Sequence, residues 1–457
     1  MLVSIKLGVI SRQDLKQLTE QGFVGVFADT VRDEQLRELC EAHAPTPRRP
    51  PKREAVQVVR DLVFHQLCPD GTLAEHGAML GGEPISDQAY TQRRERLPQA
   101  LFTALLTAGL APLAQPDQHP DAFYRGWRLV GVDGTEVSVM NTPGNKKLPK
   151  AGSRRGKAAF AKLKLVTAVE LGLHNPLAAQ TGTLRDSEVT LASHVVPRLP
   201  PHSLLIIDRL YGVARHVGDI LAASAGHDLA LLVRARSVVK AHVLRPLADG
   251  STLVQIRSAR QPGRPAGEPL TVREIRAELT VPGERKPVVV RLWTTLLDAV
   301  AYPARELVEL YAQRWEHELA YRELKLDVRR GDVLDSHTAH TALQELAAVI
   351  LALACVARVR AAATAPLQAP ARRISLRKLL LATMALWDAF ALGGTSLTAK
   401  QKSHMLEAYF GRLQREAILP QRRPRHCPRA LRQPICGWPR LRRRTESAGA
   451  VAIKLVR

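Results

Sequence analysis

The chain has 457 residues, 46% of them hydrophobic, which is enough for roughly three domains with cores of their own and excludes a disordered tail. Lysine and arginine number 66 against 43 aspartates and glutamates, so the net charge is +23. This excess of positive charge predicts a polyanionic partner, with nucleic acid favoured over a membrane surface.

The apolar runs, the N-terminus and the cysteines of the sequence all argue against a membrane or secreted protein. The most apolar run, Leu346–Val356, is too short to span a bilayer, and the N-terminus has no cleavable signal. Five cysteines are scattered over the chain, and an odd number argues against a disulfide framework. We therefore expect no membrane partner and a cytoplasmic location.

The N-terminal part of the chain has helical periodicity, broken by a basic, proline-rich linker at residues 44–53. Further along, Ser86 is the expected N-cap of a helix that runs to Leu97. Arg93 and Arg96 on this helix are of the types that bind phosphates and guanine edges, as in a helix-turn-helix. A solvated basic helix explains the same residues.

The pattern changes from helical to strand-like after the proline-rich run 115–120. A strand, Trp127–Val132, leads into Asp133-Gly134-Thr135, with alternating valines beyond it. Asp-Gly between alternating apolar residues is also the commonest hairpin-turn signal, so Asp133 is ambiguous by itself.

A second acid follows the unbroken apolar run Leu204–Ile207, which predicts a strand buried on both faces. Asp208 comes directly after it. Ligand groups in open α/β sheets tend to lie at the carboxyl ends of such strands, although an N-cap of the next helix explains Asp208 too.

Residues 213–292 are rich in strands, and we interpret them as an insertion between Asp208 and the helix that follows. Its strands carry arginines that suit a surface contacting the DNA backbone, namely Arg234, Arg236, Arg273 and Arg276. Trp293, where the insertion ends, suits stacking on an extruded base, and a tryptophan in a strand core explains it as well.

Pro303 suits the first turn of a helix and Gly331 its end, which predicts one long helix over about residues 304–330. At 100° per residue, a tyrosine, two bases and an acid fall within an arc of roughly 60°. They are Tyr311, Arg314, Glu318 and Lys325. An ordinary i,i+4 ion pair explains Arg314 and Glu318 equally well.

The spacing of these four residues resembles the signature of the insertion-sequence-4 family of DDE transposases, and Asp133-Gly-Thr and Asp208-Arg-Leu-Tyr resemble the two upstream motifs of that family. The resemblance implies an α/β chain whose RNase H-like catalytic core is interrupted by a β-rich insertion, with a helical N-terminal DNA-binding domain and a helical, basic C-terminal region. The corresponding segments are 1–118 for the N-terminal domain, 119–212 and 293–362 for the core, 213–292 for the insertion and 363–457 for the C-terminal region.

The resemblance also implies the chemistry. Asp133, Asp208 and Glu318 would bind two Mg²⁺ ions, with Mn²⁺ as a substitute, because hard oxygen ligands suit these ions and a pair of them can assist an in-line displacement at phosphorus. Around them, Tyr311, Arg314, Arg322 and Lys325 would bind DNA phosphates.

Members of the family bind the terminal inverted repeats of an insertion element as a dimer, then cut and paste it, some through a DNA hairpin. We therefore expect a homodimer on double-stranded transposon ends and target DNA, associated with the bacterial nucleoid. A DNA-binding regulator that no longer cuts, and an RNase H-like nuclease without strand transfer, are the alternatives.

Overall fold

The structure is a computed structural model that describes residues 22–46, 49–81, 83–153, 156–224, 226–258, 266–280, 287–331, 333–420 and 452–455. The helical periodicity predicted within residues 1–21 and the arginine-rich tail predicted at 421–451 lie outside the described residues.

The elements before the first acid-bearing strand and around it are, in chain order, α1 (Gly22–Thr30), α2 (Asp33–His43), α3 (Ala55–His65), α4 (Leu73–Met79), α5 (Asp87–Arg96), α6 (Gln99–Gly109), β1 (Phe123–Tyr124), β2 (Trp127–Val139), β3 (Gly152–Ser153), β4 (Gly156–Lys157), β5 (Lys162–Glu170), β6 (Asn175–Thr183) and α7 (Glu188–Val195). They are followed by β7 (Ser203–Ile207), α8 (Ala214–Ala223), β8 (Leu229–Arg234), β9 (His242–Pro246), β10 (Thr252–Ile256), β11 (Leu270–Thr280), β12 (Val288–Thr294), α9 (Ala304–Tyr311), α10 (Trp315–Glu323), β13 (Val333–Leu334), α11 (Ala339–Leu367), α12 (Leu376–Gly393), α13 (Ala399–Glu416) and β14 (Ala452–Leu455).

The chain divides into two compact units. The first consists of Met1–Phe123, Gly134–Arg198 and Leu319–Pro420, and the second of Tyr124–Asp133, Leu199–Glu318 and Gln421–Arg457. The acids Asp133, Asp208 and Glu318 all fall in the second unit.

The first unit is built around α11, which packs against α1, α3, α6 and β6. Thr338 caps its N-terminus through a capping box, and Gln368 ends it in a left-handed conformation. The helix has 29 residues and ends at Leu367, so it extends beyond the apolar run Leu346–Val356 at both ends. The helix includes Arg360, whose side chain is fully buried and pairs with Glu323 at 3.0 Å.

Two helical stretches in the described part of the chain, Ala339–Leu367 and Leu376–Ser396, are long and apolar enough to cross a membrane. The most apolar window of the first is 83% buried within the protein. A helix enclosed in this way is the core helix of its unit, because apolar side chains on all faces are covered by protein.

Local signals in the N-terminal helices are confirmed. Ser86 caps α5 by accepting the backbone N–H of Ala89 at 3.3 Å. The proline-rich connection after α6 is tied down at its start, since the carboxylate of Glu170 accepts the N–H groups of Leu113 and Ala114.

The second unit contains one sheet that changes from parallel to antiparallel. The first part of β2 pairs in parallel with β7, and β7 pairs in parallel with β8. Beyond β8 the order continues with β12, β11, β10 and β9, all antiparallel. β8 and the helix α8 that leads to it lie between residues 213 and 234, so the antiparallel extension begins later than the expected start of the insertion at residue 213.

Candidate active site

The two aspartates are neighbours across a pair of parallel strands. β2 and β7 pair with Val132 opposite Ile207, so Asp133 and Asp208 are the next residues on adjacent strands. Adjacent strands lie about 4.8 Å apart, and the continuously buried stretch of each strand ends just before its aspartate. The pairing therefore brings two carboxylates together where the buried parts of these two strands end.

Asp133 does not lie in a hairpin turn. β2 runs without interruption through Gly134 to Val139, so the turn alternative is wrong, and Asp133 lies within a strand and not at its end as expected. Gly134 is in extended backbone, and a Cβ at this position would lie 2.5 Å from the carboxylate of Glu188. The glycine therefore serves close packing in the first unit, which the Asp-Gly dipeptide does not reveal.

Asp208 follows β7 directly, as predicted, but it is not the N-cap of the next helix. That position belongs to Val213, before α8. The Asp208 carboxylate instead accepts the N–H of Leu210 within its own loop. Gly212 ends this loop, and a Cβ there would lie 1.9 Å from the carbonyl oxygen of Arg234. Only glycine allows the loop to lie this close to β8.

The helix that carries Glu318 is not regular throughout. It begins with α9 after Pro303, passes through a 3-10 turn at Ala312–Arg314, continues as α10, and ends in a π-helical segment at Leu324–Val328. Since a 3-10 turn advances about 20° more per residue than an α-helix, the arc calculated for one regular helix does not hold. The 3-10 turn packs beside β7.

Arg314 and Glu318 form the expected i,i+4 ion pair, with Nη2 of Arg314 at 3.1 Å from Oε1 of Glu318. The arginine side chain is 13% exposed and the glutamate 38%. The guanidinium also lies over the ring of Trp315, 4.2 Å from its centroid, where a cation–π contact adds to the ion pair. Arg314 is therefore held from two sides and is not a solvated surface residue.

Tyr311 lies among these charged groups. Burial raises the pKa of its phenol well above the usual range, Arg314 and Arg234 act to lower it, and Asp208 and Asp133 act to raise it. Both acids and both arginines are thus close enough to influence one hydroxyl group. At neutral pH the phenol keeps its proton and is a hydrogen-bond donor.

A small pocket opens beside Tyr311. Its polar and aromatic lining consists of Arg234, Tyr311, Arg314 and Trp315. The apolar remainder of the lining is Leu279, Val290, Val308 and Ala312. Trp315 had no role in the sequence prediction, although its position next to Arg314 in a basic, aromatic segment was a signal for one.

A divalent metal ion at this site would need oxygen ligands from several side chains. Within the described ranges, no group of three or more acidic, histidine or cysteine side chains is placed to hold one ion. The strand register brings Asp133 and Asp208 together, whereas Glu318 is paired with Arg314. Carboxylate oxygens are the donors that hard divalent cations prefer, so the donor chemistry fits even though the third acid has a different partner.

The other predicted DNA contacts are spread over the first unit. Lys325 lies in the π-helical segment and donates from Nζ to the carbonyl of Glu136 at 3.0 Å. Arg322 and Arg96 are exposed. Arg93 is half-buried and donates to the carbonyl of Arg53 at 3.0 Å. Arg96 and Arg322 are therefore the more accessible of these side chains.

Trp293 does not suit base stacking. It is fully buried, and its Nε1 donates to Glu274 at 2.9 Å, so the strand-core alternative is the correct one. The expected DNA-facing role of Arg273 is also wrong, because its side chain is fully buried. Arg236 uses its guanidinium on two backbone carbonyls. Partners within the protein explain all three residues.

Comparisons with known proteins agree with the chemistry of this arrangement. Residues 128–355 match the family described as "Transposase DDE domain". The chain is 30% identical over 281 residues to "Transposase InsG for insertion sequence element IS4" of Escherichia coli (strain K12), covering 60% of this chain and 61% of that protein. The chain thus spans about three fifths of the length of the curated relative it matches. These matches confirm the resemblance drawn from the signature.

A solved structure, "Cryo-EM structure of piggyBac transposase synaptic complex with hairpin DNA (SNHP)", aligns with a TM-score of 0.44 and 10% identity over 89% of this chain and 87% of that one. The matched family region contains Asp133, Asp208 and Glu318, and DDE transposases use divalent metal ions.

Proposed function

We propose that this chain, which belongs to the DDE transposase family through residues 128–355, is a DNA transposase that binds the terminal inverted repeats of an insertion element and catalyses strand cleavage and strand transfer. The observation that carries the proposal is the parallel register of Val132 with Ile207. It places two aspartates side by side in the family region, next to a tyrosine and two arginines.

The catalytic core in this proposal is of the RNase H-like type. Support comes from the parallel strands β2, β7 and β8 and the antiparallel pair β5 and β6. Helices α7 and α8 lie in the connections between these strands. The segment 1–118 would serve as the DNA-binding domain and 363–457 as the basic C-terminal region, with β9 to β12 as the insertion.

Asp133, Asp208 and Glu318 would hold two Mg²⁺ ions, or Mn²⁺ in their place. Bound there, the ions would help to activate the attacking oxygen and to stabilise the leaving oxygen. For Glu318 to contribute, its ion pair with Arg314 at 3.1 Å must open or be shared. A DNA phosphate is a suitable replacement partner for Arg314, because guanidinium groups bind phosphate through paired hydrogen bonds.

The remaining side chains would bind and orient the DNA strand. Arg234 and Arg314 both line the pocket and carry donors for phosphate oxygens. Tyr311, whose pKa burial raises, would donate its proton-bearing hydroxyl to a phosphate oxygen without adding a negative charge. Lys325 and Arg322 would contact phosphates further along the strand.

The proposed partner is double-stranded DNA, both transposon ends and target, bound by a homodimer in the cytoplasm at the bacterial nucleoid. The net charge of +23 supports a polyanionic partner. Trp293 is buried and so would not take part in a hairpin step. The DNA products of the reaction would distinguish direct cleavage from a hairpin intermediate.

The test uses the purified full chain, Mg²⁺ or Mn²⁺, and a DNA duplex carrying the inverted repeats next to its gene. Cleavage at the repeat ends, joining to a target plasmid, and loss of both in Glu318→Gln are the expected results. Tight binding without cleavage under either metal would favour a DNA-binding regulator instead. Cleavage without joining would favour a nuclease.

A further inference from the structure

The region after β8 makes two contacts with the segments that carry the proposed catalytic acids. The first involves Arg236, just after β8. Its Nε and Nη2 donate to the carbonyls of Arg209 and Leu210, each at 3.2 Å, and its backbone N–H donates to the carbonyl of Gly212 at 2.9 Å. These three carbonyls belong to the loop that immediately follows Asp208.

The second contact is at the beginning of α9, the helix that leads to Tyr311. Pro303 occupies the N-cap position and has no side chain that can accept a hydrogen bond. The carboxylate of Asp249, from the turn between β9 and β10, accepts the N–H of Ala304 at 2.8 Å in its place. A carboxylate at this end is favoured by the unpaired N–H groups and by the helix dipole.

Arg273 holds Asp249 in this place. Its side chain is fully buried and donates to the carboxylate of Asp249 and to Oγ of Ser251. The same guanidinium donates to the carbonyl of Tyr302 at 2.7 Å, one residue before Pro303. It also reaches the carbonyls of Leu296 and Asp298, each at 3.3 Å.

One buried arginine therefore connects the turn at residues 249–251 with the segment 296–302 that enters α9. Removing a partner of such a group is costly, because it leaves buried charge without compensation. The side chain of Arg273 is fully buried and is therefore unsuited to DNA binding. Three of its contacts are carbonyl groups of the segment that leads into the helix.

We infer that the insertion positions the acid-bearing segments: Asp249 and Arg273 are positioning residues for the start of the helix that carries Tyr311, Arg314 and Glu318, and Arg236 is a positioning residue for the loop after Asp208. The inference rests on the proposed function only for what the positioned side chains do. The contacts themselves are independent of it.

Hydrogen–deuterium exchange of the full chain tests the inference without relying on activity. In Asp249→Ala, the amides of 304–311 are expected to exchange about tenfold faster, while β7 keeps the exchange rates of the wild type, because the substitution affects the start of the helix and the Arg273 network beside it. Exchange over 304–311 within about twofold of the wild type, or equal acceleration throughout the unit, would overturn the inference.

Two further variants separate positioning from a general loss of folding. Glu309→Gln, on the exposed side of α9 where Glu309 pairs with Arg305, is the matched control and should exchange as the wild type does. In Asp249→Ala with Pro303→Asp, a carboxylate at the N-cap position should restore slow exchange over 304–311. Failure of this rescue would mean that Asp249 stabilises the insertion and not the helix start.

Cleavage of inverted-repeat DNA supplies the functional readout. Asp249→Ala is expected to lower the single-turnover rate about tenfold and to leave the Kd for DNA within about twofold, since misplaced catalytic groups slow the reaction without removing DNA contacts. The N-cap rescue should recover the rate. If the wild type does not cleave DNA, the proposed function fails, and the exchange result still decides whether the insertion positions the helix.

Discussion

Val132 and Ile207 face each other in parallel strands, and each is followed directly by an aspartate. The pairing is between strands that are distant in the chain, so it is a property of the folded sheet. It makes Asp133 and Asp208 a pair whose proximity does not depend on the conformation of a flexible loop. The third acid, Glu318, is held differently, by an ion pair with Arg314 at 3.1 Å.

Arg314→Gln should increase the affinity of the protein for Mn²⁺. The substitution removes a positive charge that is paired with Glu318 and lies close to Tyr311, which is itself influenced by both aspartates. A single positive charge about 4 Å from the ion weakens its binding by about 1 kcal/mol. Removing the charge should therefore lower the Kd for Mn²⁺ about fivefold. Titration followed by electron paramagnetic resonance measures it.

Arg305→Gln is the control for that experiment. Arg305 forms the same kind of i,i+4 pair with Glu309, but on an exposed part of α9. It changes the net charge equally and should leave the affinity for Mn²⁺ unchanged. Equal effects of the two variants would show that only the total charge matters.

Glu323→Gln should destabilise the first unit in a manner that depends on pH. Burial raises the pKa of Glu323, but Arg360 at 3.0 Å and His174 at 2.8 Å outweigh it and lower the pKa to about 2. The folded pKa lies below the ordinary value of 4.5. The charged carboxylate therefore stabilises the fold above pH 4.5, and this contribution is lost as the pH falls from 4.5 towards 2.

At pH 7 the variant should lose about 3 kcal/mol in the free energy of unfolding, since one partner of a buried ion pair is removed. Urea unfolding at a series of pH values measures the difference from the wild type, which should narrow below pH 4.5. A difference that widens on acidification would contradict the assigned network.

Trp293→Phe should affect folding and not DNA binding. The indole is fully buried and donates to Glu274, so the change should cost about 2 kcal/mol in unfolding free energy and leave the Kd for DNA within about twofold. Trp315→Phe, at the pocket beside Arg314, is the comparison and should weaken DNA binding. Loss of DNA binding in Trp293→Phe at unchanged stability would restore the base-stacking role.

Binding to DNA should weaken steeply with salt. A chain with a net charge of +23 that contacts about six phosphates should give a slope of roughly −5 for log K against log salt concentration, because bound counterions are released. Fluorescence anisotropy between low and moderate salt measures the slope. A flat response would contradict a phosphate-binding surface.

Local patterns were sufficient to predict some of these features. The strand before Asp208 could be predicted because Leu204–Ile207 is an unbroken apolar run, and the structure buries it on both faces. Asp208 then follows the carboxyl end of this strand. The N-cap role of Ser86 could be predicted because capping involves neighbours in the chain. The spacing from Tyr311 to Glu318 could be recognised because it is a local pattern in the chain.

Features that depend on distant partners could not be predicted. Arginine side chains are mostly exposed, yet Asp249 and Ser251 on the adjacent hairpin enclose Arg273. Glu274 similarly fixes Trp293. The 3-10 turn at Ala312–Arg314 contains no helix-breaking residue, and it occurs where the helix packs beside β7. Each depends on packing that has no local sequence signal.

In the proposed reaction, Asp133 and Asp208 act together in metal-dependent cleavage of DNA. The direct measurement is the single-turnover rate of cleavage of an inverted-repeat duplex with Mn²⁺, for the wild type and for Asp208→Asn, at saturating protein. Asparagine can still accept the N–H of Leu210 but carries no charge. We predict a rate lower by about 10³ with DNA affinity retained; a rate within about tenfold of the wild type would show that the Asp208 carboxylate is not required for cleavage.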